Sequence, residues 1–328
     1  MRRIFLVLVL AALAALMACA QDDGYFVVEV IGNGAEIAII GFTGEATDVQ
    51  IPARIRNLPV TVIGDEAFMG EQWRDGGEWF FGRQLTSVSI PNGVAYIGEF
   101  AFADNLLVNI TIPSSVLHIG RGAFGGNQLT HVAIPSSVTH LNGFDGNQLI
   151  SVTISDGVTY IGNHAFARNQ LISVIIPDSV VGIGNFAFAN NYLESATIGN
   201  AVTSIGSAAF SSNHLISVDI PDSVTSIGSM AFRGNHLSSV SIPGSIALVS
   251  MGAFENNHLT SVTIGSGVAR IGQNAFSNNR LTSIVIPYSV YFIGYGAFVE
   301  NQLAEIIIPR IAIGEAFALD PGVTVTRN

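Results

Sequence analysis

The stretch Asn213-His-Leu-Ile-Ser-Val-Asp-Ile-Pro-Asp-Ser-Val-Thr-Ser-Ile-Gly-Ser-Met-Ala-Phe232 begins again at Asn235-His-Leu-Ser-Ser-Val-Ser-Ile-Pro243, 22 positions later. Its leucine marks the same place throughout the chain: Leu85, Leu107, Leu129, Leu149, Leu171, Leu193, Leu215, Leu237, Leu259, Leu281 and Leu303. Every step is 22 residues except Leu129 to Leu149, which is 20. A fixed period of this length marks a solenoid, in which each unit is one supersecondary element that cannot bury its apolar side chains alone.

Within the unit, Leu215-Ile-Ser-Val-Asp-Ile220 is short, rich in β-branched residues and closed by Pro221, so it predicts a strand with Leu215, Val218 and Ile220 facing inward. Pro221 cannot donate to a ladder and suits the strand's end, and Asp222-Ser223 supplies turn chemistry. Val224 and Ile227 form a second apolar group, Gly228 is expected to make a tight backbone corner, and Ala231-Phe232 closes the coil. Parallel stacking at ~4.8 Å per coil lines up like residues in columns. The largest column is Phe68, Phe102, Phe124, Phe144, Phe166, Phe188, Phe210, Phe232, Phe254, Phe276, Phe298 and Phe317. At roughly 1.5–3 kcal/mol per buried side chain, it is a main source of stability. An asparagine two residues before each leucine from Leu107 on (Asn105, Asn127, Asn147, Asn169, Asn191, Asn213, Asn235, Asn257, Asn279, Asn301) reads as a ladder whose amides satisfy buried turn groups.

The recurring L-x-x-V-x-I-P-x-x-V-x-x-I-G-x-x-A-F over residues 49–317 resembles the BspA-like, bacterial surface-antigen type of leucine-rich repeat, also described from treponemes. The resemblance implies a mainly β, right-handed solenoid of about twelve 22-residue coils with a parallel sheet on its concave face. Many members of that family are cell-surface proteins and some are adhesins. The family offers no catalytic motif to transfer, and its fold alone does not name a ligand.

Charged residues make up only 11% of the 328, lysine is absent, and the net charge is −11. No basic stripe exists to neutralise phosphates, which argues against nucleic acid and against anionic membrane surfaces. Met1-Arg-Arg3 followed by the apolar run to Ala18 reads as a signal peptide over 1–18, too short and wrongly flanked for a spanning helix. Leu16-Met-Ala-Cys19 resembles a lipobox, with Met17 departing from the usual small residue. Cys19 is the only cysteine, so it is expected to carry a lipid, and structural disulfides are absent. The alternative is an ordinary cut near Ala20 that leaves no lipid. Export across the inner membrane, with a lipid anchor in the outer membrane or on the cell surface, is the expected location.

Residues 19–48 read as a tether and cap: Tyr25–Ile31, Gly32-Asn-Gly34 and Ala35–Ile40 predict a β-hairpin over the open end of the columns. The solenoid spans 49–317, and 318–328 forms the far cap, with a strand expected at Gly322-Val-Thr-Val-Thr. An insertion at 69–84 holds Trp73, Trp79, Phe80 and Phe81 among glycines and reads as an aromatic loop. It either docks a partner or folds back as a satellite core.

Outward strand positions are mostly Ser and Thr, with Ile150, Ile172, Ile175 and Ile216 set among them around Glu194. These isoleucines either form a protein-contact patch or are strand formers half covered by neighbours. His214, His236 and His258 should stack in one column, a spacing that invites a Zn²⁺ or Ni²⁺ reading, yet Gln128, Gln148, Gln170 and Tyr192 hold the same position. A polar surface column accounts for all of them, and no metal or other cofactor is expected. Asp156, Asp178 and Asp222 are turn formers, serines follow the repeat, and no residue group departs from the period as a catalytic cluster would. The sequence thus points to a non-enzymatic surface binding protein, adhesin-like, for a protein or glycan on host matrix or other cells. A passive envelope lipoprotein is the alternative. Ice binding stands third, because Asn109, His131, Glu194 and Asp219 break the hydroxyl ranks and serine outnumbers the stiffer threonine.

Overall fold

A computed structural model describes residues 24–74, 78–81, 84–310 and 318–327. The chain is a mainly β solenoid of about 12 turns, with parallel pairing between like segments of successive coils. Phe68 to Phe298 stack down the interior, each fully buried, with ring centroids 5.1–5.8 Å apart and planes within 2–15° of parallel. Phe317, the expected last member, lies outside the described residues.

Two ribbons run along the solenoid. The expected Leu-x-x-Val-x-Ile strands pair in short sets, such as His131–Ile134 with Ser151–Ile154 and Ser239–Ile242 with Ser261–Ile264. This ribbon is interrupted at 109–112 and 217–220, where Asn109 and Asp219, poor strand formers, take outward positions. The continuous ribbon runs instead through the two-residue segments before each Ile-Gly corner. There Tyr96–Ile97 leads through His118–Ile119, His140–Leu141 and Tyr160–Ile161 as far as Phe292–Ile293, within one fourteen-stranded sheet.

The asparagine column is a hydrogen-bonded ladder. Asn213 Nδ2 donates to the carbonyls of Phe188 (2.9 Å) and Phe210 (3.1 Å), and its Oδ1 accepts the Leu193 N–H (3.0 Å). The same set recurs at every step, so each amide ties its coil to the one before and satisfies groups that the core would otherwise leave unpaired.

Gly228 does not make the expected corner. Its φ is not positive; a Cβ there would lie 2.3 Å from Ser207 N and 2.5 Å from Gly206 C, so close approach of adjacent coils is what excludes a side chain. The corners are turned by residues in the left-handed region at two other places, such as Ala208 (φ 52) and Ser212 (φ 55), at about 1 kcal/mol or more each.

The N-terminal hairpin forms as expected, with Phe26–Ile31 antiparallel to Glu36–Phe42. Its second strand joins the long sheet in parallel with Leu58–Ile63. Phe42 then packs on Phe68 at 5.5 Å, extending the interior column to the cap. At the far end Thr324–Arg327 pairs in parallel with Glu305–Ile308.

Replacing Asn213 with leucine keeps the volume, orphans the buried Leu193 N–H, and leaves the Phe188 and Phe210 carbonyls with one asparagine donor each, Asn191 and Asn235, in place of two. At about 1–3 kcal/mol for the orphaned group, the expected loss is about 2–3 kcal/mol in urea unfolding of the full chain. An unchanged midpoint would show that the ladder carries no stability.

Candidate functional site

Alternation along each strand decides what the solenoid presents. In Ser173-Val-Ile175 the valine is buried, while the serine and isoleucine face out, and parallel register places Ser173 beside Ser195 and Ile175 beside Thr197. The serine column is exposed along the ribbon, ending at Glu305. Ile150 (43% exposed), Ile172 (48%), Ile216 (61%) and Ile175 (71%) stand out of this hydroxyl surface. Backbone bonds from Glu194 N to Ile172 O (2.8 Å) and from Ile216 N to Glu194 O (3.5 Å) put Ile172, Glu194 and Ile216 in one column; Ile150, bonded to Thr130 O at 2.9 Å, holds the same place in its coil. Ile175 belongs to a second column. Neighbours half-cover Ile150 and Ile172, but Ile175 and Ile216 stand clear.

The sequence reading passed over Val108, exposed in the same column as Ile150, and also Tyr288, Tyr291 and Tyr295, exposed on a single coil. The position after each leucine, followed along the repeat, would have found Val108. The tyrosines occupy spacer places that the motif leaves free, so no periodic signal marks them.

The insertion is more ordered than a loop: Glu71–Arg74 pairs antiparallel with Glu78–Phe81, placing Trp73 opposite Trp79 and Gln72 opposite Phe80 in register. It leaves the stack undisturbed, because Phe68 and Phe102 on either side of it lie 5.1 Å apart and Asp48–Gln50 pairs directly with Ser87–Ser89. Cys19 lies outside the described residues.

The histidines stack as columns. His214, His236 and His258 have centroids 5.2 and 5.1 Å apart, with planes within 2° of parallel. Imidazole lone pairs lie in the ring plane, and two nitrogens sharing a zinc ion sit within about 4.2 Å of each other. Parallel faces at this spacing do not converge on one ion. Among the described residues no group of three or more His, Cys, Asp or Glu is placed to hold a metal.

Tyr96 stacks on His118 at 4.7 Å, and burial lowers the His118 pKa below its ordinary value, aided by His140 and opposed by Glu99. Burial also lowers that of His258, aided by Arg280 and His236. The folded state therefore disfavours the proton on both rings. Their contribution to stability is complete above the ordinary value of 6.5 and is lost as pH falls through the lowered folded values. Changing both to glutamine is expected to flatten the decline in melting temperature between about pH 7 and about pH 5. Equal slopes in the two proteins would show that these imidazoles carry no linkage.

The sequence model of the BspA type leucine rich repeat region, in six copies, matches residues 76–181, 141–251 and 203–317. No curated protein matches the chain. Among solved structures, a leucine-rich repeat protein from Bacteroides ovatus is 21% identical, with 93% of this chain and 98% of that one covered and a TM-score of 0.57. A leucine rich cell surface protein from Faecalibacterium prausnitzii is 23% identical, with 93% and 94% covered and a TM-score of 0.51. At these identities the likeness is one of fold. With the family model matching most of its length, the chain belongs to the BspA type of leucine-rich repeat proteins.

Proposed function

We propose that this protein is a non-enzymatic attachment protein, held at the bacterial surface by a lipid on Cys19, that binds a protein partner through its strand face. The observation that carries the reading is the exposure of Ile172, Ile175 and Ile216 on a surface built mostly of serine and threonine. Apolar side chains within a polar rim are the arrangement of a protein contact, where a few residues supply most of the binding energy. The hairpin at 71–81, with both tryptophans, is a second contact element in this reading. Membership of the BspA type supports a binding scaffold, and the surface description of the Faecalibacterium neighbour supports the location. Glycans on matrix or other cells are the other ligand class for the same face.

Changing Ile172, Ile175 and Ile216 together to serine is expected to cut adhesion to immobilised matrix proteins at least tenfold, with the melting temperature held. Each buried isoleucine contributes roughly 1.5 kcal/mol or more, and tenfold is about 1.4 kcal/mol. With so few charges, binding should change little between low and high salt. Adhesion that is unchanged both in this variant and in one lacking residues 70–83 would favour a passive envelope role.

Intact-mass measurement on protein from its native host tests the anchor. A diacylglyceryl adduct on a chain starting at Cys19 is expected, and Cys19→Ser should abolish it. A plain chain starting near Gln21 would place the protein free in the periplasm or medium.

A further inference from the structure

The period slips once, between Leu129 and Leu149, and the structure shows which two residues are missing. Gly143 takes the alanine place of its coil, accepting the Phe124 N–H at 2.7 Å as Ala123 accepts that of Phe102. Asn142 follows Leu141 where glycine follows isoleucine in the coils on either side. The corner pair, Arg121-Gly122 in the coil before and Asn163-His164 in the coil after, has no counterpart between them.

That omission opens a gap in a regular ladder. Elsewhere the second residue of the pair donates its N–H to the first residue's carbonyl one coil on: Phe100 to Arg121 (2.9 Å), His164 to Asn185 (2.9 Å), Phe186 to Ser207 (2.9 Å) and Ala208 to Ser229 (2.8 Å). Across the short coil, the Gly122 N–H and the Asn163 carbonyl have no protein partner among the described residues. A cleft of about 170 Å³ lies there, room for one six-membered ring and too small for a drug-sized ligand.

Aromatic and cationic groups converge on it. Phe100 reaches over Gly122, where an added Cβ would lie 2.5 Å from the ring. His164 stacks one face on Phe186 at 4.9 Å, which leaves its opposite face on the side of the cleft. The Arg121 guanidinium lies 5.6 Å above the Phe100 ring and has no carboxylate partner among the described residues. Asp145, the acid in the wall, is held by Arg168 at 2.8 Å. In a chain of net charge −11, this corner therefore offers a cation to an incoming group.

We propose that the cleft binds an anionic pyranose, a uronate or sulfated sugar residue. The acid group pairs with Arg121, which presents a planar fork of donors matched to carboxylate or sulfate. The ring lies between the Phe100 and His164 faces. Hydroxyls, which both donate and accept, meet the Asn163 carbonyl and the Gly122 N–H, a pair that an inorganic anion, which only accepts, cannot satisfy. The site uses no residue of the strand face and stands or falls separately from the attachment reading above.

Calorimetric titration and saturation-transfer NMR on the full chain test it, with glucuronate, glucosamine 6-sulfate, glucose and inorganic sulfate as probes. The two acidic sugars are expected to bind with Kd on the order of 1 mM, and glucose and sulfate at least tenfold more weakly. Arg121→Ala should weaken acidic-sugar binding at least tenfold. Inserting Ser-Gly between Asn142 and Gly143 restores the 22-residue period and should abolish binding while the melting temperature holds or rises. Equal binding of glucose, equal binding of sulfate, or binding that survives Arg121→Ala would each overturn the proposal. The arginine variant, a surface change, decides the matter even where the insertion fails to fold.

Discussion

The structure depends on one amide per coil. Stacking coils around a phenylalanine column forces main-chain carbonyls and N–H groups into a space that water does not reach. Each left unpaired costs about as much as a hydrogen bond contributes, or more. Asparagine answers this because one short, planar side chain carries an acceptor and two donors. In Asn213 the acceptor takes Leu193 N–H and the donors take Phe188 O and Phe210 O, so closing the turn and joining the coils are the same act. The asparagine must then stand at a constant offset from both the leucine and the phenylalanine, which is the physical origin of the repeat.

That constraint also says where the chain is free to vary. Residues outside the ladder and the core column can change without disturbing the stack, and the individual features lie there. The hairpin at 71–81 leaves between Phe68 and Phe102, yet the two rings stack and Asn105 still reaches the Phe68 carbonyl. The short coil keeps Leu141, Phe144 and Asn147 in their columns and omits only a corner pair. The exposed isoleucines occupy outward strand positions, where the core makes no demand. A rigid scaffold with variable outward positions is how repeat folds acquire different partners without redesigning the fold.

The family, the phenylalanine column, the asparagine ladder and the terminal cap were legible because each is an obligation repeated many times over, and repetition separates a required residue from a chance one. The stretch around Trp73 and Trp79 read only as a loop, since two four-residue strands leave little periodic trace in a segment that occurs once. Gly228 was legible as obligatory but not for its reason. A glycine that turns a corner and a glycine that admits a neighbouring backbone look alike in a string of letters, and the nearness of Ser207 N, which would lie 2.3 Å from a Cβ at Gly228, is a property of stacked coils.

The sequence alone settles the period, the residues that face inward and the solenoid class, because these follow from side-chain volume and local backbone chemistry. Tertiary structure decides which of the two apolar segments forms the continuous sheet, how far Ile175 and Ile216 stand out of their surface, and what the missing pair after Asn142 leaves behind. Each of these depends on the distance between residues about 22 positions apart in the chain but one coil apart in space. Only stacking brings such residues into contact, and no single coil contains that distance.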